Sequence, residues 1–300
     1  DNHILHLSHI AYLKDLVLRG GPETSEYAEL SQCFSEVGDM VREGLIAYNQ
    51  FPIVWKELHE VFLCPDNLLG FVALKPHGYA GDFELIDRIY TEWVSPNPHL
   101  ARWDLYCHVQ PATKAVRNRK KYFQKLLAGF SAAGNGEIRS VLNIGSGSGR
   151  DLLYALESGT GNLLVDCVDM DQRAIAYASR ILLPYISSVR FFCCNALKFR
   201  PDRQYDLIWS AGLFDYLNDR AFKLFLRRFL KMVKVGGNIV IGNFSKNNPN
   251  RDFMEFGHWF LHHRLETDIL ALAAECGVAF DMMSIESEPE GINLFLNIRI

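Results

Sequence analysis

The sequence predicts an α/β fold, a mostly parallel seven-stranded sheet with an antiparallel last strand, joined to a helical N-terminal domain. Three observations predict it. After the small-residue run Ser131-Ala132-Ala133-Gly134-Asn135-Gly136, strand-like apolar segments alternate with amphipathic helical ones, the grammar of a parallel sheet covered on both faces. Before that run, apolar residues are spaced by threes and fours, the helical period. At the end, Val278 to Ile285 and Ile292 to Ile300 flank Pro289-Glu290-Gly291, a breaker-rich turn that reads as an antiparallel hairpin. The expected domains are therefore 1–135, a helical cap that carries substrate contacts, and 136–300, the sheet domain.

In the first domain, Ile4, Leu5, Leu7, Ile10, Leu13, Leu16, Val17 and Leu18 mark a helix that Gly20-Gly21-Pro22 ends. A second runs through Tyr27, Leu30, Phe34 and Val37, and a third candidate covers Ile53 to Phe62. Residues 75–99 are rich in breakers around a short amphipathic helix, Asp82 to Tyr90. Pro111 opens a basic helix with Lys114, Arg117, Arg119, Lys120, Lys121 and Lys125, charges that read as a solvated face or as an anion-binding one. In the second domain the strands are Ser140–Ile144, Leu163–Val168, Val189–Cys194, Tyr205–Ser210 and Asn238–Gly242, then the two of the hairpin.

With a net charge of −4, 49% hydrophobic and 22% charged residues in 300, the chain has a globular balance. A pI near 6.2 argues against a surface built to grip nucleic acid. There is no run of about 18 apolar residues to cross a membrane, and the first residues show no signal peptide. The seven cysteines are odd in number, scattered and free of any C-x-x-C pair, so they predict neither disulfides nor zinc but reduced thiols in a cytoplasmic protein. No metal site is expected. Aromatic residues, at 12%, either fill a core or line an apolar ligand site.

The main chemical signal is Val141-Leu142-Asn143-Ile144-Gly145-Ser146-Gly147-Ser148-Gly149-Arg150, an apolar strand turning through alternate glycines into a helix. Such a turn passes close under a ligand and offers it backbone N–H groups. About 20 residues on, the next strand ends at Asp169, placed to accept both hydroxyls of a ribose, while Asp171 reads as a helix N-cap. The third glycine comes one residue too early for a dinucleotide fingerprint, and no G-x-x-x-x-G-K-S/T is present.

These residues resemble the class I S-adenosylmethionine-dependent methyltransferases, over about residues 138–300. The resemblance implies a Rossmann-like sheet and S-adenosyl-L-methionine as cofactor. Asn143, Gly145, Ser146, Gly147 and Gly149 look like the motif that takes the methionine end. Asp169, followed by Met170, matches the ribose acceptor, and Asn195-Ala196 the turn beside the adenine, with Asn where Asp is usual. Tyr205 to Ser210 matches the fourth strand. Beyond it, Leu213 or Phe214 is expected against the cofactor and Asp215 or Tyr216 against the acceptor. A narrower resemblance rests on Gly78-Tyr79-Ala80-Gly81-Asp82-Phe83-Glu84 with Met254-Glu255, Trp259, Leu261 and Arg264. It looks like a bacterial subgroup that includes enzymes making methyl esters of 3-hydroxy fatty acids as signals.

The implied function is methyl transfer to a small, lipophilic acceptor, at a carboxyl or hydroxyl oxygen, in signal or secondary-metabolite biosynthesis. No nucleic-acid or membrane partner is expected, and a homodimer is left open. A regulator that binds the cofactor without catalysis, or methylation at nitrogen or carbon, are the alternatives. The segment 253–264, rich in His, Trp and Phe, either walls the acceptor site or packs as a peripheral helix, with His262 and His263 on different faces. Candidate catalytic residues are His258, His262, Glu255, Tyr79 and Arg264, the last to pair an acceptor carboxylate. His77 is a further candidate base, and Tyr79 and Arg117 are the candidates to reach the methionine carboxylate from the N-terminal domain.

Overall fold

The computed structural model describes residues 7–133 and 136–300. Seven strands form one sheet: β1 (Arg139–Ile144), β2 (Leu163–Asp169), β3 (Val189–Cys193), β4 (Tyr205–Ser210), β5 (Val233–Phe244), β6 (Met283–Ser287) and β7 (Asn293–Arg299). Their order is β3-β2-β1-β4-β5-β7-β6. The first five are parallel, with Ile144 beside Val168 and Trp209 beside Val240. β7 returns antiparallel on β5, pairing Asn293 with Phe244, and β6 pairs antiparallel on β7. Among the described residues the sheet is thus the seven-stranded one expected, with its antiparallel end.

Neighbouring residues of each strand serve opposite faces. Leu142, Ile208, Ile239 and Leu296 join one buried cluster, while Val141, Leu207, Val240 and Phe295 join the other. The helices that cover the sheet are α8 (Pro111–Ala132), α9 (Arg150–Glu157), α10 (Gln172–Ile181), α11 (Asp219–Leu230) and α13 (Glu266–Ala274). α11 brings Phe222, Phe225 and Phe229 to the first cluster, and α8 brings Phe123 and Leu127 to the second. Phe123 stacks on Trp209 at 4.5 Å, and Tyr122 on Phe295 at 3.9 Å. Asp171 caps α10 by accepting from the Arg173 N–H at 2.9 Å, and Asn218 caps α11 through the Ala221 N–H at 2.9 Å.

The remaining helices are α1 (Leu7–Leu18), α2 (Tyr27–Arg42), α3 (Phe51–Glu57), α4 (His59–Phe62), α5 (Leu68–Leu74), α6 (Phe83–Tyr90), α7 (Pro98–Val109) and α12 (Arg251–Phe256). The chain forms two compact units. The helical one takes the described residues up to Lys114 and returns for Pro249–Phe260; the sheet unit takes Ala115–Asn248 and Leu261–Ile300. The division therefore differs from a single cut at residue 135. Side-chain packing is the reason: the rings of Phe253 and Phe256 of α12 lie 4.8–5.6 Å from those of Phe34, Phe51, Phe62 and Tyr106. Arg42 binds Asp252 at 2.6 Å in the same unit.

The helix expected over 53–62 is broken at Leu58, whose backbone (φ −117°, ψ 29°) leaves the helical region. Asn67 starts α5 by accepting the Gly70 N–H at 2.9 Å and anchors the preceding turn by donating to Val61 and Cys64. Asp104 of α7 is fully buried and accepts the backbone N–H groups of Leu68 at 2.7 Å and Ser95 at 2.8 Å. Burial pushes its carboxyl up to about 6. Asp104→Ala leaves both N–H groups buried without an acceptor, so it is expected to cost about 2–4 kcal/mol. Urea denaturation at pH 7 measures this, and a loss below about 0.5 kcal/mol would contradict the bridging role assigned to this carboxylate.

Candidate active site

Ligands in open α/β sheets bind beyond the carboxyl ends of the strands where the order reverses. Here that point lies between β1 and β4. The chain leaving β1 turns through Gly145, Gly147 and Gly149 at φ of +67°, +54° and +68°. This left-handed region is the one that favours glycine. A Cβ on Gly149 would also lie 2.9 Å from the Leu182 side chain, so the third glycine is required for α9 to pack beside α10. The Gly145 N–H donates to Val168 O at 2.9 Å, binding the turn to β2. Ser146 is buried in it, and Asn143 sits at the end of β1, buried, with its Nδ2 unpaired among the described residues.

Asp169 ends β2. One carboxylate oxygen accepts the Gly147 N–H and the other the Asp171 N–H, each at 2.9 Å. These bonds aim the carboxylate into the glycine turn and leave lone pairs on both oxygens. Burial raises its pKa above the ordinary carboxylate range, against the pull of the two N–H groups. Met170 follows, 74% exposed, an apolar surface beside that carboxylate. At the end of β3, Asn195 is exposed and accepts the Leu197 N–H at 2.9 Å, while Ala196 lies against the core. Ser210 closes β4, its hydroxyl donating to Ile144 O at 3.0 Å, which ties the two strands of the reversal together.

The loop after β4 divides its side chains. Leu213 reaches the glycine turn: its Cβ would stand 3.4 Å from a Cβ on Gly145. Phe214, one of the two expected against the cofactor, is instead fully buried against Phe222 and Phe229 of α11. Asp215 is buried; its Oδ1 accepts the Phe244 N–H and its carbonyl the His262 N–H, both at 2.6 Å. Tyr216 is partly exposed.

Arg264 is buried and occupied by the scaffold. It donates to Asn243 Oδ1 at 2.7 Å, Leu217 O at 2.5 Å, Phe214 O at 3.3 Å and Asp219 at 2.9 Å, with its guanidinium 5.0 Å over Phe222. His262 has an exposed side chain, while its carbonyl accepts from Asn243 at 2.9 Å. His263 is buried, donating from Nδ1 to Leu261 O at 3.2 Å and accepting from Asn248 at 3.1 Å. The two histidines do diverge, but along irregular chain: the helix expected through 253–264 stops at Phe256.

Arg119 was not among the candidate residues. It is buried on α8 beside the β4 loop, donating to Ala211 O at 3.3 Å and lying 3.3 Å from where a Gly212 Cβ would be. Asp151 and Asp215 both feel its charge. The signal was present: Ala115, Arg119, Phe123 and Leu127 form one buried stripe at four-residue spacing.

Four other candidates belong to the helical unit. Glu255 is buried and accepts from the Tyr48 hydroxyl and, at 2.7 Å, from Arg251. Tyr79 is 39% exposed. His258 takes a left-handed backbone (φ +56°) beside Trp55, ring to ring 4.7 Å, and donates from Nε2 to Tyr48 O at 2.7 Å. That bond makes Nδ1 the proton acceptor of the neutral ring, and burial lowers the ring's pKa. His77, in the same unit, is held by Glu84 at 2.8 Å.

Residues 141–237 match a methyltransferase domain. The match spans the glycine turn, Asp169 and the β4 loop. A segment of 129 residues is 32% identical to N-terminal Xaa-Pro-Lys N-methyltransferase 1 of Bos taurus, covering 42% of this chain and 56% of that protein. The chain thus spans little more than half the length of this relative. In fold it is similar to a possible exported protein from Bordetella parapertussis, with TM-score 0.61, 20% identity, and 77% and 85% of the two chains covered. It is also similar to magnesium protoporphyrin IX methyltransferase from Synechocystis PCC 6803 with bound SAH, at TM-score 0.50 and 14% identity over 63% and 87%.

Burial raises the Asp215 carboxyl to about 6, with the Phe244 N–H, Arg119 and Arg264 holding it from going higher. An acid raised in the folded state favours folding most when protonated. Its contribution is therefore complete below about pH 4 and is lost as pH rises through about 6. Asp215→Asn keeps the acceptor for Phe244 and removes the charge. Relative to the parent, its stability is expected to rise by on the order of 2–3 kcal/mol between pH 4 and pH 7. Denaturation curves at both pH values read this directly; parallel behaviour of the two proteins would refute it.

Proposed function

We propose that this chain is an S-adenosylmethionine-dependent methyltransferase acting on a small, lipophilic acceptor in signal or secondary-metabolite biosynthesis. The observation that carries the reading is the Asp169 carboxylate held by the Gly147 N–H inside a left-handed glycine turn, at the point where strand order reverses. The matched methyltransferase domain supports it. The residues present fit the cofactor. Gly145, Ser146, Gly147 and Gly149 make a cradle without side-chain bulk, and Asn143 brings a buried donor with no other partner among the described residues. Asp169 offers lone pairs to two ribose hydroxyls. Met170, Asn195 and Ala196 would flank the adenine, and Ser210 and Leu213 the methionine side.

When bound, the cofactor supplies a methyl group made electrophilic by its sulfonium. The protein aligns an acceptor and removes a proton where the acceptor carries one. His258, with its tautomer fixed by Tyr48 O, has the chemistry of a base; His262, Glu255 and Tyr79 are the other candidates. Arg264 acts as a positioning residue, because Asn243, Asp219 and two carbonyls already take its donors. The narrower resemblance around Gly78–Glu84 supports an acyl-chain acceptor. A second reading is an amine acceptor, favoured by the name of the Bos taurus relative.

Isothermal titration with S-adenosylmethionine tests the proposal, followed by methyl transfer to a panel of lipophilic acids, alcohols and amines. Asp169→Ala is expected to weaken cofactor binding by about 10- to 100-fold, the worth of hydrogen bonds to a charged acceptor. Absence of binding at millimolar cofactor would remove the reading, and unchanged affinity in the variant would remove Asp169 from it.

A further inference from the structure

α5 ends on a cation that the helical unit leaves without a counter-ion. The left-handed residue that closes a helix is usually glycine, yet after α5 it is Lys75, at φ +49°. Its side chain is half-buried, and burial is the one cause that lowers its pKa, with no carboxylate among the described residues to oppose it. Other cations of the unit are answered at 2.6–2.8 Å: Lys14 by Glu57, Arg19 by Asp15, Arg42 by Asp252 and Arg102 by Glu23. A charge partly removed from water without a partner is unfavourable, and a ligand of opposite charge would relieve it.

The surroundings of Lys75 say what kind of ligand. α5 packs on the chain after α12: Val72, one turn before Lys75, lies 2.8 Å from where a Cβ on Gly257 would stand. The next residue is His258, also left-handed, at φ +56°. Burial and then the charge of Lys75 lower the pKa of its ring, against the bond to Tyr48 O. Trp55, Phe260 and Phe51 stand around that ring at 4.7, 5.5 and 6.1 Å, and Phe260 meets Tyr48 at 4.9 Å. Leu74 and Phe260 keep 41% and 42% of their surface exposed. A small hydrated anion gains nothing from such apolar surface, whereas an anion with a hydrocarbon body does.

We propose that Lys75, beside the aromatic groups around His258, anchors a binding site within the helical unit for an amphipathic organic anion, a carboxylate on an apolar chain. The carboxylate pairs with the ammonium, and the chain lies on apolar surface such as that of Leu74 and Phe260. A glycine after α5 would relax the backbone and forfeit the cation, so the side chain is what this position supplies. The site belongs to the helical unit alone and stands apart from the cofactor and from the methyltransferase reading.

Octanoate is the probe, with acetate as an anion lacking the chain and octyltrimethylammonium as a chain lacking the anion. Titration calorimetry of the full chain at neutral pH is expected to show octanoate binding about tenfold or more tightly than either, the gain of a charge-assisted hydrogen bond joined to apolar burial. Lys75→Met keeps the length and loses the charge, and is expected to weaken octanoate binding about tenfold or more, while Lys75→Arg holds it within about threefold. Absence of octanoate binding, equally tight binding of acetate or of octyltrimethylammonium, or an unchanged affinity in Lys75→Met overturns the proposal. The Asp169→Ala protein is expected to bind octanoate as the parent does; loss of binding there would place the ligand in the sheet unit and refute the assignment. Failure to bind S-adenosylmethionine would remove the methyltransferase reading and leave this one standing. Should Lys75→Met not fold, acetylation of Lys75 by N-hydroxysuccinimidyl acetate is followed in the parent by peptide mass spectrometry. Pairing with a carboxylate keeps the amine protonated, so octanoate is expected to slow the reaction several-fold and octyltrimethylammonium to leave it unchanged. Equal rates with and without octanoate count against Lys75.

Discussion

The carboxyl end of this sheet depends on a buried cation. A guanidinium removed from water is tolerated only where acceptors replace its hydration. Arg264 meets that condition by drawing together the carbonyls of Phe214 and Leu217, the amide of Asn243 and the carboxylate of Asp219. The loop after β4, the last residues of β5 and the chain returning toward α13 are thereby held by one side chain. Asp215, bonded from both sides in the same knot, cannot be repositioned without disturbing it. Removing the guanidinium would orphan several acceptors at once, which is why its role is best understood as holding other groups in place.

The glycine turn solves a different problem with backbone alone. Three left-handed residues turn the chain sharply out of β1, and the N–H of the middle one is fixed by Asp169 from the neighbouring strand. A carboxylate is thus held at the mouth of a helix by backbone N–H groups, with no ion pair to a cation among the described residues, its pKa raised by burial. Such an unneutralised acceptor suits hydroxyl donors, and it is poorly suited to a pyrophosphate, whose own charge it would repel.

Much of this was legible in the sequence for physical reasons. Strands covered on both faces read as apolar runs, and the five parallel ones were found that way; the strand expected over Val278–Ile285 instead begins at Met283, after a short turn over Phe280–Met282. The roles of Asp171 as a cap and of the final hairpin followed from local rules. Other features were hidden because they depend on distant partners. The aromatic segment after Asn250 has a helix-like composition, yet the helix ends at Phe256 because the chain there turns through a left-handed residue. Arg264 looked free because its acceptors are mostly carbonyls, which no sequence pattern displays. Phe214 looked accessible from its loop position, but three phenylalanines of α11 claim its ring. Arg119 was counted among a row of surface charges, although its four-residue spacing from Ala115 and Phe123 already placed it on the apolar side.

His258 shows how two demands conflict at one position. Its left-handed backbone is a conformation that glycine adopts freely and a ring-bearing residue adopts at a cost of roughly 1 kcal/mol. The same backbone directs the imidazole to Tyr48 O and fixes which nitrogen is bare. The cost of that backbone is offset by what the ring gains there, the bond to Tyr48 O and the face of Trp55. A glycine would relieve the backbone and forfeit both contacts, so conformation and side chain at this position can only be exchanged together.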